Sequence, residues 1–194
     1  MDYLAIEQDL VKSVQEPTLF TWIVSPTVIY GRHQSAEVEV NEDYCREHGI
    51  AVVQRKSGGG CVYADEGNLM ISFVSPSTHS EQVFTDFLTM VAQALQSKGL
   101  PAVTTAHNDI FVDGRKVSGC ACFTSPTGTI VHGTLLYDVN LEAMLAALTP
   151  STDKLAKHGV VSVRQRVANL KELTTAFDDI QALRAYIESF VENL

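Results

Sequence analysis

Asp109-Ile110-Phe111-Val112-Asp113-Gly114-Arg115-Lys116-Val117-Ser118-Gly119-Cys120-Ala121-Cys122-Phe123 reads as two extended segments joined at Asp113-Gly114. Asp-Gly between such segments is a strong hairpin signal, because both central residues of the favoured two-residue turn need positive φ. Another turn at Pro126-Thr127-Gly128 then leads into a further strand, Thr129 to Tyr137. Strands joined by turns this short pair antiparallel, so this stretch commits the chain to a sheet built from hairpins.

Outward from it, helices and strands mix without strict βαβ alternation. Upstream, Ser80 to Lys98 carries Val83, Phe84, Phe87, Leu88, Val91, Ala94 and Leu95 at helical spacing, and Gly99 with Pro101 stops it. Those apolar residues are a core stripe. Asn41 reads as the N-cap of a helix to about His48, with Glu42 and Asp43 in its first turn and Gly49 at its end. Leu4 to Val14 is helix-like. Two strands follow, Leu19 to Val24 and Thr27 to Tyr30, broken at Ser25-Pro26. Short strands are expected over Ile50 to Val53 and Asn68 to Phe73. The C-terminal part reads as helical over Leu141 to Leu148, around Leu155, and over Asp178 to Glu192. Hairpin strands bracketed by helices give an α+β class, a mainly antiparallel or mixed sheet flanked by helices. With 194 residues, 45% of them hydrophobic, one substantial core and a single domain over residues 1–194 are expected.

Charge and composition exclude several functions. A formal net charge of −9 is wrong for a protein that holds DNA or RNA by neutralising many phosphates. No apolar run approaches the roughly 18 residues of a membrane span, and Asp2 and Glu7 stand where a signal peptide would carry positive charge. Cys45, Cys61, Cys120 and Cys122 lack CxxC or zinc-ligand spacing. Reduced thiols in a cytoplasm are therefore expected, with no nucleic acid and no membrane as partners.

Arg55-Lys56-Ser57-Gly58-Gly59-Gly60-Cys61-Val62-Tyr63 joins the strand ending at Val53 to an apolar exit. Three glycines in a row leave main-chain N–H groups unshielded by any Cβ, and the basic entrance favours an anion beside them. That is the chemistry of a phosphate cradle.

Three segments taken together are more specific: Arg55 to Leu69; Asn108-Asp109-Ile110 with Asp113 to Ala121; and Val131-His132-Gly133-Thr134-Leu135-Leu136. In this order they resemble the lipoate-protein ligase A family, relatives of the biotin protein ligases. Weaker matches at Leu4 to Glu7, Val28 to Arg32 and Lys154 to Arg164 extend the resemblance over nearly the whole chain. It implies the α+β catalytic-domain fold of those ligases. It also implies a two-step reaction: lipoate and ATP give lipoyl-AMP and pyrophosphate, and the lipoyl group then passes to a lysine of an acceptor domain. Expected acceptors are the lipoyl domains of 2-oxoacid dehydrogenase E2 subunits and the glycine-cleavage H protein.

Carried over by motif, the resemblance makes Lys116 the catalytic residue, reaching both the acyl oxygen and the α-phosphate. It puts Arg55, Ser57, Gly58, Gly59, Gly60, Cys61, Val62, Tyr63, Asn108, Asp109, Ser118, Gly119 and Ala121 with Lys116 around ATP and lipoyl-AMP, with Arg55 pairing with phosphate. Asn108 and Asp109 hold the ribose or a magnesium ion that offsets phosphate charge, Asp109 being the candidate metal ligand. Lipoate falls to Lys116, His132 and Gly133, and its apolar slot to residues such as Val62, Val117, Ala121 and Leu135.

Two other readings use the same fold. Full-length members often carry a C-terminal accessory domain, which these 194 residues lack. The chain would then be a lipoyltransferase that uses preformed lipoyl-AMP, adenylation needing a separate accessory protein. Alternatively, an octanoyl or lipoyl thioester transferase would use Cys61, Cys120 or Cys122 and no ATP. The cysteines replace small residues inside ligase motifs, and free cysteine is commonly buried, so packing is their expected role.

Overall fold

A computed structural model describes residues 3–105, 109–148 and 166–193. At its centre stands the expected hairpin. Strand β7 (Asp109–Val112) and strand β8 (Arg115–Ser125) pair antiparallel, and Asp113 at φ 49° with Gly114 at φ 73° makes the left-handed turn between them. β8 then pairs with β9 (Gly128–Leu136), whose nine residues are all buried. With β1 (Thr18–Trp22), β5 (Asn68–Ser75) and β6 (Ala102–Thr104), the order is β1-β5-β9-β8-β7-β6, and every pairing is antiparallel. A smaller sheet, β3-β2-β4, consists of β2 (Thr27–Tyr30), β3 (Ala51–Gln54) and β4 (Val62–Ala64); β2 runs parallel to β3 and antiparallel to β4. The two strands read either side of Ser25-Pro26 thus belong to different sheets. The α+β class stands.

The helices are α1 (Tyr3–Leu10), α2 (Ala36–Glu39), α3 (Glu42–Glu47), α4 (Ser80–Gln96), α5 (Leu141–Ala147) and α6 (Ile180–Glu192). Asn41 caps α3 as its sequence requires, its side chain accepting from the Tyr44 N–H at 3.2 Å, and Gly49 ends the segment at φ 65°. α4 turns Val83, Phe87, Leu88, Val91, Ala94 and Leu95 onto the large sheet, against Ile71, Ile110, Val131 and Leu135 and against Leu183 and Ile187 of α6. Fully burying a side chain such as Phe87 or Leu95 contributes about 1.5–3 kcal/mol, so this layer is the main source of stability. α2 and β6 carry no sequence signal, being too short to show a period. The helix expected around Leu155 and the motif from Lys154 to Arg164 fall outside the described residues. Among the described residues no helix is long and apolar enough to cross a membrane.

A separate apolar cluster fills the seam between the two sheets. Trp22 and Met70 come from the large sheet, Ile29 and Ala64 from the small one, and Tyr3 and Leu4 of α1 close over them. The Tyr3 ring stacks on Trp22 with centroids 4.9 Å apart.

Candidate active site

The glycine loop lies between β3 and β4, and its shape is fixed from behind by Arg55. That side chain is buried, and its guanidinium donates to the carbonyls of Gly60 at 2.6 Å, Gly58 at 2.7 Å and Ile29 at 3.0 Å, and to Ser57 Oγ at 2.9 Å. Burial pushes its pKa down from the usual guanidinium value. Phosphate pairing was expected of Arg55; here its donors hold the loop itself. Gly31 supplies the seat: a Cβ there would stand 2.3 Å from the Gly59 carbonyl oxygen, so only glycine lets the loop close onto β2. Arg32 N–H adds a bond to Ser57 O at 2.9 Å. Gly59 itself has φ 89°, a conformation that side-chain-bearing residues rarely adopt.

A cavity of about 300 Å³ opens in front of the loop. One part of its wall is apolar: Leu4, Trp22, Ile29, Val62 and Met70, the seam between the sheets. Another part is polar and close-set: Gly59, Gly60, Cys61, Asp109, Lys116, Gly119 and Ala121, with Arg55 behind. Cys120, His132, Gly133 and Thr134 complete it. Lys116 Nζ lies 2.7 Å from Asp109 Oδ1, and both side chains retain solvent contact. A Cβ at Gly119 would approach Lys116 Cε and Nζ to 3.1 Å, so this glycine leaves room for the ammonium.

Lys116 reaches the cavity because of a bulge. Phe111 pairs with Lys116 but Ile110 with Ser118, which shifts the register by one residue. Beyond the shift, Gly119 and Ala121 line the cavity, Cys122 packs against the main core, and Cys120 packs against that core at the cavity's edge. Strict alternation from Gly119 would send Lys116 into that core and Val117 into the cavity. The bulge reverses this: Val117 is fully buried in the core and Lys116 lines the cavity.

A buried polar chain backs the wall. Ser57 Oγ lies 2.7 Å from His132 Nε2, and His132 Nδ1 lies 3.1 Å from Glu7 Oε2. The other Glu7 oxygen accepts from Ser72 Oγ, which accepts from Trp22 Nε1 at 2.8 Å. Glu7 is 1% exposed.

Eleven expected site residues therefore share one cavity wall: Arg55, Gly59, Gly60, Cys61, Val62, Asp109, Lys116, Gly119, Ala121, His132 and Gly133. Gly58 and Ser57 lie off that wall, Ser57 joined to it through His132. Tyr63 is buried in the core beneath the small sheet, because β4 alternates and its Val62 takes the cavity side. Ser118 is buried beside the bulge, and Val117 and Leu135 belong to the main core and not to an acyl slot. Asn108 lies outside the described residues. Leu4, Trp22, Ile29, Met70, Thr134 and Glu7 were missed. For Glu7 a signal existed: an acid sharing one helix face with Tyr3, Leu4, Leu10 and Val11.

The cysteines are free and suit packing better than catalysis. Burial pushes the Cys61 thiol up to about 11 and that of Cys120 up to about 12, and raises Cys122 as well. A nucleophilic cysteine needs the opposite shift. Cys120 fills the space that Gly133 leaves across the strand pair, where a Cβ would come within 2.8 Å of its sulfur.

The profile of the family described as the lipoyl protein ligase A/B catalytic domain matches residues 1–191. The chain belongs to that family. Lipoate-protein ligase LplJ of Bacillus subtilis (strain 168) is 41% identical over 175 residues, 87% of this chain and 52% of the relative. The chain thus spans about half the length of the curated relatives it matches. Among solved structures, the bi-partite lipoate protein ligase of the Thermoplasma acidophilum lipoylation system superposes with a TM-score of 0.89 at 28% identity, over 98% of this chain and 77% of that one. Lipoate-protein ligase A bound with ATP gives 0.83 at 26% identity, over 98% and 78%. Protein Ta0514 of T. acidophilum, solved with bound lipoic acid, gives 0.82 at 26%, over 98% and 79%. The family's fold is the fold described above.

Proposed function

We propose that the chain is the catalytic domain of an ATP-dependent lipoate-protein ligase, which makes lipoyl-AMP and passes the lipoyl group to a lysine of an acceptor lipoyl domain. The observation that carries this reading is the shared wall: an apolar slot and a glycine loop open into one cavity that also holds Lys116. A substrate with an aliphatic tail and a carboxylate suits the first, and a nucleotide suits the second.

In the first step a lipoate carboxylate oxygen attacks the α-phosphorus of ATP and pyrophosphate leaves. Negative charge grows on the α-phosphate and acyl oxygens, and Lys116 is placed to meet it with a point charge. A preorganised donor at such an oxygen supplies about 3–4 kcal/mol. The close Asp109 carboxylate holds the ammonium in the cavity until the substrates arrive. Each CH₂ of the acyl chain buried against Trp22, Ile29, Val62 and Met70 adds about 0.8 kcal/mol of binding. In the second step the neutral acceptor amine attacks the acyl carbon, AMP leaves with the bonding pair, and the amine proton is lost. Lysine at its usual pKa of about 10.4 is neutral in roughly one molecule in 2,500 at pH 7, so acceptor deprotonation is part of the barrier.

Magnesium would neutralise phosphate charge. Among the described residues no group of three or more His, Cys, Asp or Glu side chains could hold it alone. Asp109, in the cavity wall and partly exposed, fits as the single carboxylate of a site completed by phosphates and water, the usual arrangement for this ion.

One observation favours a second reading. The chain superposes with a TM-score of 0.89 on a ligase described as bi-partite. On that reading it transfers from preformed lipoyl-AMP and needs an accessory protein for adenylation. Acceptors are E2 lipoyl domains and the glycine-cleavage H protein, and the free cysteines suit a cytoplasmic site of action. The test is the mass of an acceptor domain after incubation with lipoate, ATP and magnesium, with lipoyl-AMP, or with octanoyl-carrier protein. Modification with the first donor set supports the ligase, with lipoyl-AMP alone the transferase. Modification only by the thioester would overturn both.

A further inference from the structure

Glu7 is a buried acid that neither half-reaction uses, and its two oxygens end two separate hydrogen-bond chains. We propose that Glu7 is a positioning residue that fixes the apolar slot and the glycine loop at once, and so sets the geometry in which acyl carboxylate and nucleotide meet. The inference rests on the ligase reading for its kinetic consequences. The wiring itself can be tested without it.

The direction of each chain follows from its donors. Indole Nε1 only donates, so Ser72 Oγ accepts from Trp22 and its own proton goes to Glu7 Oε1. At the other end the Glu7 carboxylate only accepts, so His132 donates to Oε2 from Nδ1. In the neutral imidazole Nε2 then accepts the Ser57 proton, while Ser57 Oγ accepts from Arg55 Nε. Both chains run toward the carboxylate, and only a side chain that accepts on both sides terminates them. Each chain also ends at a functional wall: Trp22 in the apolar slot, and Arg55 on the carbonyls of Gly58 and Gly60.

An amide of the same shape cannot do this. If Glu7→Gln turns its carbonyl to Ser72, its NH₂ faces His132 Nδ1 and drives the imidazole proton to Nε2. Ser57 then meets two donors, and its own proton has no acceptor in the chain. If the amide is reversed, Ser72 meets two donors and the Trp22 end fails instead. Ser72 is fully buried, and Ser57 is 2% exposed at the edge of a second cavity of about 320 Å³. One chain breaks in either case.

The experiment compares wild type, Glu7→Gln and Ser72→Ala. The ¹⁵N spectrum of the imidazoles reads the His132 tautomer, assigned with His132→Gln. The indole N–H of Trp22 gives one unambiguous signal, since the chain has one tryptophan. In wild type His132 carries its proton on Nδ1. In Glu7→Gln either that proton moves to Nε2 or the indole signal shifts, while the melting curve keeps its cooperativity. In the lipoate- and ATP-dependent reaction Glu7→Gln loses about 10- to 100-fold in kcat/KM. Ser72→Ala, which cuts the tryptophan chain alone, raises KM for lipoate and leaves KM for ATP unchanged. Unaltered tautomer and indole signals in Glu7→Gln overturn the wiring, and altered signals with wild-type kinetics overturn the positioning role. If wild type itself does not adenylate lipoate, the ligase reading fails, and the same variants assayed for transfer from lipoyl-AMP then decide the positioning role.

Discussion

Gly31→Ala puts a single methyl group between the small sheet and the glycine loop. The new Cβ would lie 2.3 Å from the Gly59 carbonyl oxygen and 3.3 Å from Arg55 Nη2, the first about 1 Å inside ordinary contact. The nearer neighbour is loop backbone, which cannot swing aside as the tip of a side chain can, so the loop must lift. Lifting it stretches the bonds from Arg55 to Gly58 O and Gly60 O, at 2.7 and 2.6 Å, and from Arg32 N–H to Ser57 O at 2.9 Å. A hydrogen bond from a charged donor is worth about 1.5–3 kcal/mol, so losing one disfavours the closed loop by about 10- to 150-fold. On the proposed phosphate role of the loop, apparent ATP affinity falls by up to the same factor, as the closed fraction drops. Calorimetric titration with ATP measures this directly. Gly58→Ala is the steric control for the free protein: its Cβ would meet nothing within 4 Å, and its melting temperature should match wild type. ATP binding by Gly31→Ala at wild-type strength would refute the argument that Arg55 and Gly31 shape the loop together.

Three other outcomes follow from the same geometry. Lys116→Ala should abolish lipoylation while thermal unfolding stays near wild type, since this side chain is partly exposed; residual turnover above about 1% would remove Lys116 from the chemistry. Cys120→Ser and Cys122→Ser should keep transfer activity, and a folded but inactive single variant would revive the thioester route. Stability should fall as pH rises from about 9 to about 11. There the unfolded chain's thiols ionise while Cys61 stays protonated, so the unfolded state binds fewer protons and is favoured; Cys61→Ser should lose that part of the alkaline decline in denaturant titrations.

Much of the architecture was legible because its determinants are local. The Asp113-Gly114 turn, the Asn41 cap and the apolar stripe of α4 each depend on residues a few positions apart, and each appears where the sequence puts it. The glycine loop was legible for the same reason: three bare residues between two strands can serve few purposes. Partition of the strands into two sheets was not legible. It depends on β1 finding β5 and β2 finding β3 and β4, pairings between residues 24 to 56 positions apart that no local pattern encodes.

The site divides along the same line, which explains why motif residues were found and their supports were not. A candidate site residue is found where it sits in a dense local pattern, as Lys116 does between a tight turn and Ser118-Gly119. Its support acts across the fold. The bulge that turns Lys116 out of the core is a mismatch between β7 and β8, visible only once Ile110 is seen opposite Ser118. Gly31 reads as an ordinary turn glycine until Gly59 O stands over it. Glu7 is marked only as an acid on an apolar helix face, and its partners Ser72 and His132 stand 65 and 125 residues away. A carboxylate so deeply buried persists only where donors satisfy both oxygens. Its burial is therefore a constraint on the whole wall: α1, β5, β9 and the glycine loop must all be in place for both Glu7 oxygens to be satisfied.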